Sequence, residues 1–445
     1  MKKPYQRYKD SGVEWIGEIP HEWYPCRLKY VTNKITDGTH ITPTYVDKGI
    51  PFLRVTDIQS NTINLESAKR IPESEHADLI RRCYPETNDL LLSKNGTIGI
   101  TKIIDWDWDF SIFVSLCLIK FKLNKLLPQY FTYIFQSNIA DEQISGSSKK
   151  TSVTNLHLDK IRELVFLIPT IYEQQHIANY LDRKTKQIDT LINRKKRLID
   201  LLKEERGSVI NEAVTKGIDP DVSMKDSGIE WLGDIPEHWA TVKLKWCCSL
   251  LKDGTHLPPP RVEKGIPLLS VRNIVNNKFV RLDDDSMISE EDFTKLNNSF
   301  QVNGNDVLLA IVGATMGKVA IVPKMDSFTI QRSLAFFRVK SSILNFEYFF
   351  FFLQSATFQN LLWNNVAYSA QPGIYLGSLA NFKTTVPLLG EQDNIVQYIK
   401  EETTRIDTII TKASKEIKLL NEYRTALISE VVTGKIDVRD WKEAS

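Results

Sequence analysis

The sequence predicts an α+β protein of two tandem mixed α/β domains, each followed by a long helix. The two helices are expected to pair as an antiparallel coiled coil with pseudo-two-fold symmetry. Three observations support this prediction. The stretch KDSGVEWIGEIP returns 216 positions later as KDSGIEWLGDIP. Each copy precedes short apolar runs broken by Gly, Pro, Asn and Asp, which is typical of strands. Each domain then gives way to about forty residues with a 3.5-residue apolar repeat, as coiled coils require.

The repeat extends through the whole chain. The DGTH element at 37–40 recurs at 253–256, and the offset has grown only to 218 where Ser115 meets Ser333. A repeat of this length indicates two domains and not a solenoid. The predicted segments are an N-terminal leader (1–22), a first domain called lobe 1 (23–169), a central helical spacer (170–216), a second leader (217–238), a second domain called lobe 2 (239–387), a C-terminal helical spacer (388–434) and a tail (435–445).

Composition places the chain among globular proteins, with 42% hydrophobic and 25% charged residues and a net charge of +2. The five cysteines are scattered without a CxxC pair, and no cleavable apolar leader opens the sequence, so a cytoplasmic location is expected. The densest apolar run, EYFFFFLQ, is too short to span a bilayer. We therefore predict no membrane association.

The helical spacers begin clearly and carry a continuous apolar seam. Thr170 and Glu173 form a capping-box pattern at the start of the first spacer. The predicted seam residues are Ile177, Leu181, Ile188, Leu191, Leu198 and Leu202 in the first spacer and Ile395, Ile399, Ile406, Ile409, Leu420 and Leu427 in the second. One alternative is that the seams serve only to join the two halves or to form a homodimer. Because duplication supplies two lobes to separate, a spacer of defined length is the more specific hypothesis.

The repeated leaders are predicted to belong to the frame of the protein. Asp10, Trp15 and Ile19, with Asp226, Trp231 and Ile235 in the second copy, are expected to pack between lobe and helix and not to contact a ligand.

Loops that follow the matching elements differ between the halves. ITPTYVD faces LPPPRVE, and SGSSKKTSVTN faces the region of NNVAYSAQPGI. One frame with different loops predicts two related ligands, each recognised by its own loops. Hydroxyl, Lys, Tyr and Gln side chains suit phosphates and base edges. The candidate DNA-binding residues are Thr39, His40, Thr42, Lys94, Ser147, Lys149, Lys150, Thr151 and Ser152 in lobe 1, and Thr255, His256, Arg261, Tyr368, Ser369 and Gln371 in lobe 2. A solvated surface turn remains the alternative for SSKKTS.

The sequence predicts no catalytic residue, no metal site and no cofactor in this chain. DGTH contains Asp, Thr and His, but Asp-Gly is also a turn former, so a turn that positions Thr and His near a ligand is favoured. In IVGATMGK, Gly313 and Gly317 are one residue too close for a phosphate-binding P-loop. The alternatives are a methyltransferase or nuclease acting alone, and a coiled-coil scaffold with two protein-binding lobes.

The duplicated KDSG-x-EW-x-G-x-IP-x-x-W element, the order of lobes and helices, and NDVLLAIVGATMGK resemble the specificity subunit of type I restriction–modification enzymes over nearly the whole chain. The resemblance implies two target-recognition domains, each of which binds one half of an asymmetric bipartite site in double-stranded DNA. It implies that the paired helices set the gap and dock two modification subunits, which methylate adenine at N6, and that two motor-nuclease restriction subunits complete the complex. S-adenosylmethionine, ATP and Mg²⁺ are then expected on the partner subunits. A complex that only modifies DNA, or that is inactive, is the remaining alternative.

Overall fold

The computed structural model describes residues 3–59, 63, 65–145, 155–257, 259–366 and 372–441. The chain forms two compact units. Unit 1 comprises Met1–Lys195 and Lys415–Ser445, and unit 2 comprises Lys196–Ser414. Each unit therefore contains one lobe together with a part of both helical spacers.

The described residues of unit 1 form mostly short strands and four short α-helices, and its long helix continues beyond the unit. Its elements are β1 (Tyr8–Asp10), β2 (Glu18–Pro20), β3 (Tyr24–Arg27), β4 (Thr32–Asp37), β5 (Ile50–Leu53), β6 (Lys69–Ile71), α1 (Glu73–Ile80), β7 (Leu90–Ser93), β8 (Thr101–Ile103), β9 (Ser111–Ile112), β10 (Leu116–Phe121), α2 (Pro128–Phe135), α3 (Asn138–Ser145), α4 (Leu158–Glu163), β11 (Val165–Ile168) and α5 (Ile171–Lys216).

The central sheet of unit 1 is antiparallel, with the strand order β4-β10-β7-β8. Leu90 and Leu92 of β7 point into one apolar core, whereas Leu91 points into another on the opposite face. Because both faces are buried, the strand is a continuous apolar run and does not alternate. A second sheet, β6-β5-β9, pairs β5 with β9 in parallel.

Unit 2 repeats this plan with some additional strands. Its elements are β12 (Met224–Asp226), β13 (Asp234–Pro236), β14 (Ala240–Lys243), α6 (Leu244–Cys247), β15 (Cys248–Asp253), β16 (Ile266–Leu269), β17 (Ile274–Val275), β18 (Lys278–Phe279), β19 (Met287–Ile288), α7 (Glu290–Asn297), β20 (Val307–Ala310), β21 (Val319–Ile321), β22 (Thr329–Ile330), β23 (Leu334–Val339), α8 (Phe346–Gln354), α9 (Ala356–Asn364), α10 (Leu376–Asn381), β24 (Lys383–Val386) and α11 (Leu389–Val432).

The central sheet of unit 2 has the order β15-β23-β20-β21-β18-β17. Its strand β20 is again buried on both faces, with Val307 and Leu309 in one core and Leu308 and Ala310 in the other. β15, β23 and β20 thus occupy the places of β4, β10 and β7. At the offset of 216, the β17–β18 hairpin corresponds to residues 58–63 of lobe 1, of which 60–62 lie outside the described residues.

Each long helix is anchored to its own lobe by a buried glutamine. Gln174 Oε1 accepts a hydrogen bond from the Leu127 amide at 2.8 Å, and its Nε2 donates to the carbonyls of Lys125 and Pro169. Gln392 makes the same three bonds in unit 2. The predicted helix start is confirmed at Thr170, whose Oγ1 accepts from the Glu173 amide at 3.3 Å. The repeated Glu-Gln pair therefore fixes each helix where it leaves its lobe.

The two long helices pair in antiparallel fashion within each unit, as predicted. In unit 1, Asp189 pairs with Arg424, and Lys195, further along α5, pairs with Glu416, earlier in α11. In unit 2, Glu205 pairs with Arg405 at 2.8 Å. Lys195 and Glu416 interrupt the apolar seams of their helices. Because the two polar interruptions face each other, neither charge is left unpaired.

The predicted seam is wrong at two positions in the middle of α5. Leu191 and Leu198 are each 42% exposed, whereas Ile192 is buried. The buried face advances by four residues twice in succession, from Ile177 to Leu181 and on to Thr185, before three-residue steps alternate with four-residue steps again. A straight helix has 3.6 residues per turn, so a strict 3.5-residue pattern drifts around it and needs such an extra step. The other ten predicted seam residues are buried or partly buried.

The leaders form β-hairpins, and only one of the three frame residues in the first copy is buried. Ile19 is fully buried in the core that also holds residues of α5 and α11. Asp10 is exposed and accepts a hydrogen bond from the Gly12 amide, and Trp15 is 41% exposed, so the packing predicted for these two is wrong. In the second copy Ile235 is buried, Trp231 is partly buried against the core, and Asp226 repeats the turn contact. Ile19 lies on strand β2, whereas Trp15 lies in the turn that connects β1 and β2.

Candidate nucleic-acid interface

Three loops of lobe 1 meet at one edge of its central sheet. Because the strands are antiparallel, the C-terminal ends of β4 and β7 lie beside the N-terminal end of β10. Thr39 forms a bridge with Phe113, the Lys94 amide donates to the Ser115 carbonyl at 2.9 Å, and the Leu156 amide donates to the Lys94 carbonyl at 2.7 Å. We call this the loop edge of lobe 1.

Lobe 2 has a matching loop edge. Thr255 bridges Gln331, the Ile311 amide donates to the Ser333 carbonyl at 2.9 Å, and the Ile374 amide donates to the Ile311 carbonyl at 3.1 Å. These contacts align Ile311 with Lys94 and Gln331 with Phe113. The two loop edges therefore correspond in their backbone contacts as well as in their sequence.

The two loops that differ most between the halves have their described ends at the loop edges. Asn95 bridges Asn155 in lobe 1, and Val312 bridges Gly373 in lobe 2. Eight candidate DNA-binding residues lie between these flanking points but outside the described residues. They are Ser147, Lys149, Lys150, Thr151, Ser152, Tyr368, Ser369 and Gln371.

The DGTH element is a rigid turn held by its own side chains. His40 Nε2 donates to Asp37 Oδ2 at 3.2 Å, and Thr39 Oγ1 donates to the Ile41 carbonyl at 3.1 Å. A side chain at Gly38 would place its Cβ 1.9 Å from the Ile112 carbonyl oxygen, so only glycine allows the turn to lie against the neighbouring strand. The Thr39 hydroxyl proton is used within the turn, which favours a structural role over a nucleophilic one.

The same turn recurs in lobe 2. His256 Nε2 donates to Asp253 Oδ2 at 2.7 Å, and Thr255 Oγ1 donates to the Leu257 carbonyl at 2.9 Å. Thr255 is buried and its hydroxyl supports the turn, so its contact with DNA stays a prediction. His40 and His256 are exposed beside the two turns.

Lys94, a candidate DNA-binding residue, is buried in lobe 1. It is only 4% exposed, and its Nζ lies 3.3 Å from the buried Asp37 carboxylate, which also pairs with Arg82. A buried carboxylate needs such partners because desolvation of an unpaired charge is costly. In lobe 2 the equivalent residue is Ile311, and Asp253 is more exposed than Asp37. The ammonium group therefore stabilises the DGTH turn of lobe 1 from inside.

The remaining candidates are accessible. Two further polar residues of the loop edge, Gln331 and Arg332, were not among the sequence candidates. Thr42 and Arg261 are exposed, and Arg261 Nη1 donates to the Pro259 carbonyl at 3.0 Å. Arg332 is exposed at the loop edge of lobe 2, where its amide donates to the Thr255 carbonyl at 3.1 Å beside Gln331. The corresponding residues of lobe 1 are Phe113 and Val114. At offset 218 the sequence alignment of the halves already shows this replacement of an apolar pair by Gln-Arg, and it could have indicated these two residues.

Thiol and metal chemistry have little support in the described residues. Burial raises the pKa of Cys247 to about 11 and that of Cys83 and Cys248 to about 12, so these thiols stay protonated at neutral pH and are poor nucleophiles. Among the described residues, no group of three or more His, Cys, Asp or Glu side chains could hold a metal ion. Within the same ranges, no helix is long and apolar enough to cross a membrane.

Comparison with solved structures supports the fold. A chain from a structure titled as the basis of complex assembly and conformational transition of the type I R-M system has a TM-score of 0.71 and 16% identity, covering 93% of this chain and 98% of that one. The HsdS subunit of Thermoanaerobacter tengcongensis has a TM-score of 0.56, with 94% and 98% covered.

Sequence comparison leads to the same family. The chain is 23% identical to the EcoBI specificity subunit of Escherichia coli, over 97% of this chain and 90% of that protein. It is 25% identical to the putative MjaX specificity subunit of Methanocaldococcus jannaschii, over 98% and 99%. The model of the type I restriction modification DNA specificity domain matches residues 20–200 and again 236–419, which together make up most of the chain. With two tandem copies of that domain, the chain belongs to the type I restriction–modification DNA specificity family.

Proposed function

We propose that this chain is the specificity subunit that selects an asymmetric bipartite DNA target for a type I restriction–modification complex. One observation carries the proposal. Two lobes of the same frame present different side chains at equivalent loop edges, as with Phe113 and Val114 in lobe 1 against Gln331 and Arg332 in lobe 2. Two related but distinct half-sites are what such a pair of surfaces would select.

The chemistry of the loop edges suits a duplex. His40, His256 and Arg332 are exposed there, and Arg261 is exposed in the loop that follows the DGTH turn of lobe 2. All four can donate to phosphates or to base edges. Arginine pairs bidentately with guanine in the major groove, and glutamine pairs with adenine in the same way. Each lobe would therefore recognise a short word, with phosphate contacts fixing its position along the DNA.

The paired helices are proposed to set the gap between the two words and to dock the partner subunits. Two lobes bound to one face of B-DNA are about 34 Å apart, or a multiple of that distance. A helix of 46 residues, such as α5, is roughly 70 Å long, so it is long enough to act as such a spacer.

Catalysis is proposed to reside on the partners of this chain. Two modification subunits would methylate adenine with S-adenosylmethionine, and two motor-nuclease subunits would use ATP and Mg²⁺. The chain itself would contribute recognition and no catalytic residue, and it would act in the cytoplasm on double-stranded DNA. The support for this division of labour is the membership of a specificity family.

Methylation mapping tests the proposal. The chain is expressed with its modification subunits in a host that lacks N6-methyladenine, and the genome is sequenced for modified adenines. We expect one motif of two different words separated by a fixed gap. Exchange of residues 23–169 for the corresponding lobe of a relative should change one word and leave the other intact. A change in both words, or methylation without a motif, would contradict it. Loss of transformation by unmodified plasmids, once the restriction subunits are added, distinguishes a restricting complex from a modification-only one.

A further inference from the structure

Each lobe presents one aliphatic side chain to solvent directly after its DGTH turn. Ile41 is 79% exposed in lobe 1 and Leu257 is 87% exposed in lobe 2, the two highest values for large apolar side chains in the described part of the chain. Both stand at the same position of the repeat, 216 residues apart. A single exposed apolar residue is ordinary, but the same exposure at equivalent places in two otherwise divergent loops calls for a common cause.

The backbone beneath both residues is fixed. The Ile41 amide donates to Thr39 Oγ1 at 3.1 Å, and that hydroxyl donates back to the Ile41 carbonyl. Thr255 Oγ1 holds the Leu257 carbonyl in the same way at 2.9 Å. The glycine before each threonine locks the turn against the adjacent strand. The side chain therefore projects from a rigid support, and among the described residues of its lobe no packing accounts for its apolar nature.

We infer that Ile41 and Leu257 are specificity-determining residues that contact the C5 methyl group of a thymine in the major groove, one in each half-site. This inference rests on the proposed function and extends it to two residues and one base type. The thymine methyl is the apolar feature that the major groove offers, and aliphatic or threonine methyl groups are its usual partners. The exposed histidine that precedes each aliphatic residue can reach a neighbouring phosphate or base, so the contact would lie within a polar surround.

Replacement of single thymines by deoxyuridine tests the inference, because it deletes the methyl group and leaves base pairing intact. Duplexes carrying the mapped target are made with one substitution at a time, and the affinity of the full chain is measured for each. We expect one position in each word to lose about fourfold in affinity, the value for one buried methyl group. Ile41→Ala should weaken binding about tenfold or more, and deoxyuridine at the first position should then cost less than 1.5-fold. Leu257→Ala should behave in the same way at the second position only.

Leu123→Ala is the matched control. Leu123 is a half-exposed aliphatic residue that follows the end of β10 remote from the loop edge, so its replacement should change neither affinity nor the deoxyuridine effect. Because Ile41 and Leu257 are exposed, their alanine variants should keep the wild-type melting temperature.

Three outcomes would overturn the inference while leaving the proposed function intact. The first is wild-type binding that tolerates deoxyuridine at every position. The second is additivity of the alanine and deoxyuridine effects. The third is an Ile41-dependent rise in the fluorescence of 2-aminopurine placed in the target, which would show a side chain wedged between bases instead. Failure of the wild-type chain to prefer its mapped target over random duplexes would refute the proposed function itself.

Discussion

Replacement of Gly38 by alanine tests whether close packing of the DGTH turn against the neighbouring strand requires glycine at this position. The new Cβ would lie 1.9 Å from the Ile112 carbonyl oxygen and 2.7 Å from the carbonyl carbon of Phe113, whereas real contacts stay above 3.0 Å. The turn and the strand would have to separate by at least about 1 Å. That shift would break the bond from the Thr39 amide to Ile112, which is 3.1 Å long.

Overpacking costs about 1–3 kcal/mol, and a lost backbone hydrogen bond costs about 1 kcal/mol more. We therefore expect the free energy of unfolding to fall by roughly 3 kcal/mol and the melting temperature of unit 1 to fall by about 6–12 °C. Calorimetry of the full chain measures this shift. Gly254→Ala, whose Cβ would lie 2.2 Å from the Ile330 carbonyl oxygen, should act on unit 2 instead.

The functional readout of the same pair is specific to one lobe. Suppose that lobe 1 recognises the first word. At a temperature where both variants remain folded, Gly38→Ala should weaken binding to DNA in which only the first word is intact. Gly254→Ala should weaken binding to DNA in which only the second word is intact. A Gly38→Ala chain that melts at or above the wild-type temperature would refute the packing argument. A stable variant with weakened recognition of both words would refute the assignment of one word to each lobe.

The other predictions concern the helices and the loops. Gly207→Ala, in the interior of α5 with no atom within 4 Å of the added Cβ, should stabilise the protein by about 1 kcal/mol in denaturant titrations; destabilisation would show an unrecognised strain there. Gln392→Ala should destabilise unit 2 by about 3 kcal/mol, because one amide and two carbonyls lose their partner, and an unchanged midpoint would mean that water replaces the side chain. Insertion of four residues into both α5 and α11 should lengthen the methylated gap by about two base pairs, since a helix rises about 1.5 Å per residue; a constant gap would show that the helices are not the spacer. Lys149→Ala with Lys150→Ala should reduce the salt dependence of DNA binding by a slope of roughly 2, and an unchanged slope would identify that loop as ordinary surface.

Local pattern was a good guide wherever the relevant physics is local. The capping pair at Thr170 and Glu173 marks the start of α5, and seam positions such as Ile177 and Ile395 are fully buried. The seam prediction was wrong at Leu191 and Leu198 because the sequence offers two apolar residues in succession at both places, Leu191-Ile192 and Leu198-Ile199. The accumulated rotation of a 3.6-residue helix, and not composition, decides which of each pair faces inward.

Local sequence patterns did not predict the contacts between distant segments. Lys94 is a candidate DNA-binding residue by sequence, and the residues around it do not indicate that it pairs with Asp37, which lies 57 positions earlier. The pairing of β4 and β7 on either side of β10 brings the two together. The prediction for Trp15 was wrong in the opposite direction. A large aromatic residue in a repeated motif suggests burial, whereas the hairpin leaves Trp15 41% exposed.

The sequence by itself determined that the protein has two equivalent lobes, each joined to a long helix, because duplication and apolar periodicity are written in residue order. Only the tertiary structure decided which residues share the loop edges and which of them are accessible. The reason is that strand order and burial depend on pairing between segments tens of residues apart, and local spacing does not encode that pairing. The DGTH turn shows both sides: its recurrence is visible in the sequence, but its role in presenting Ile41 and Leu257 depends on the strand that lies against Gly38 and Gly254.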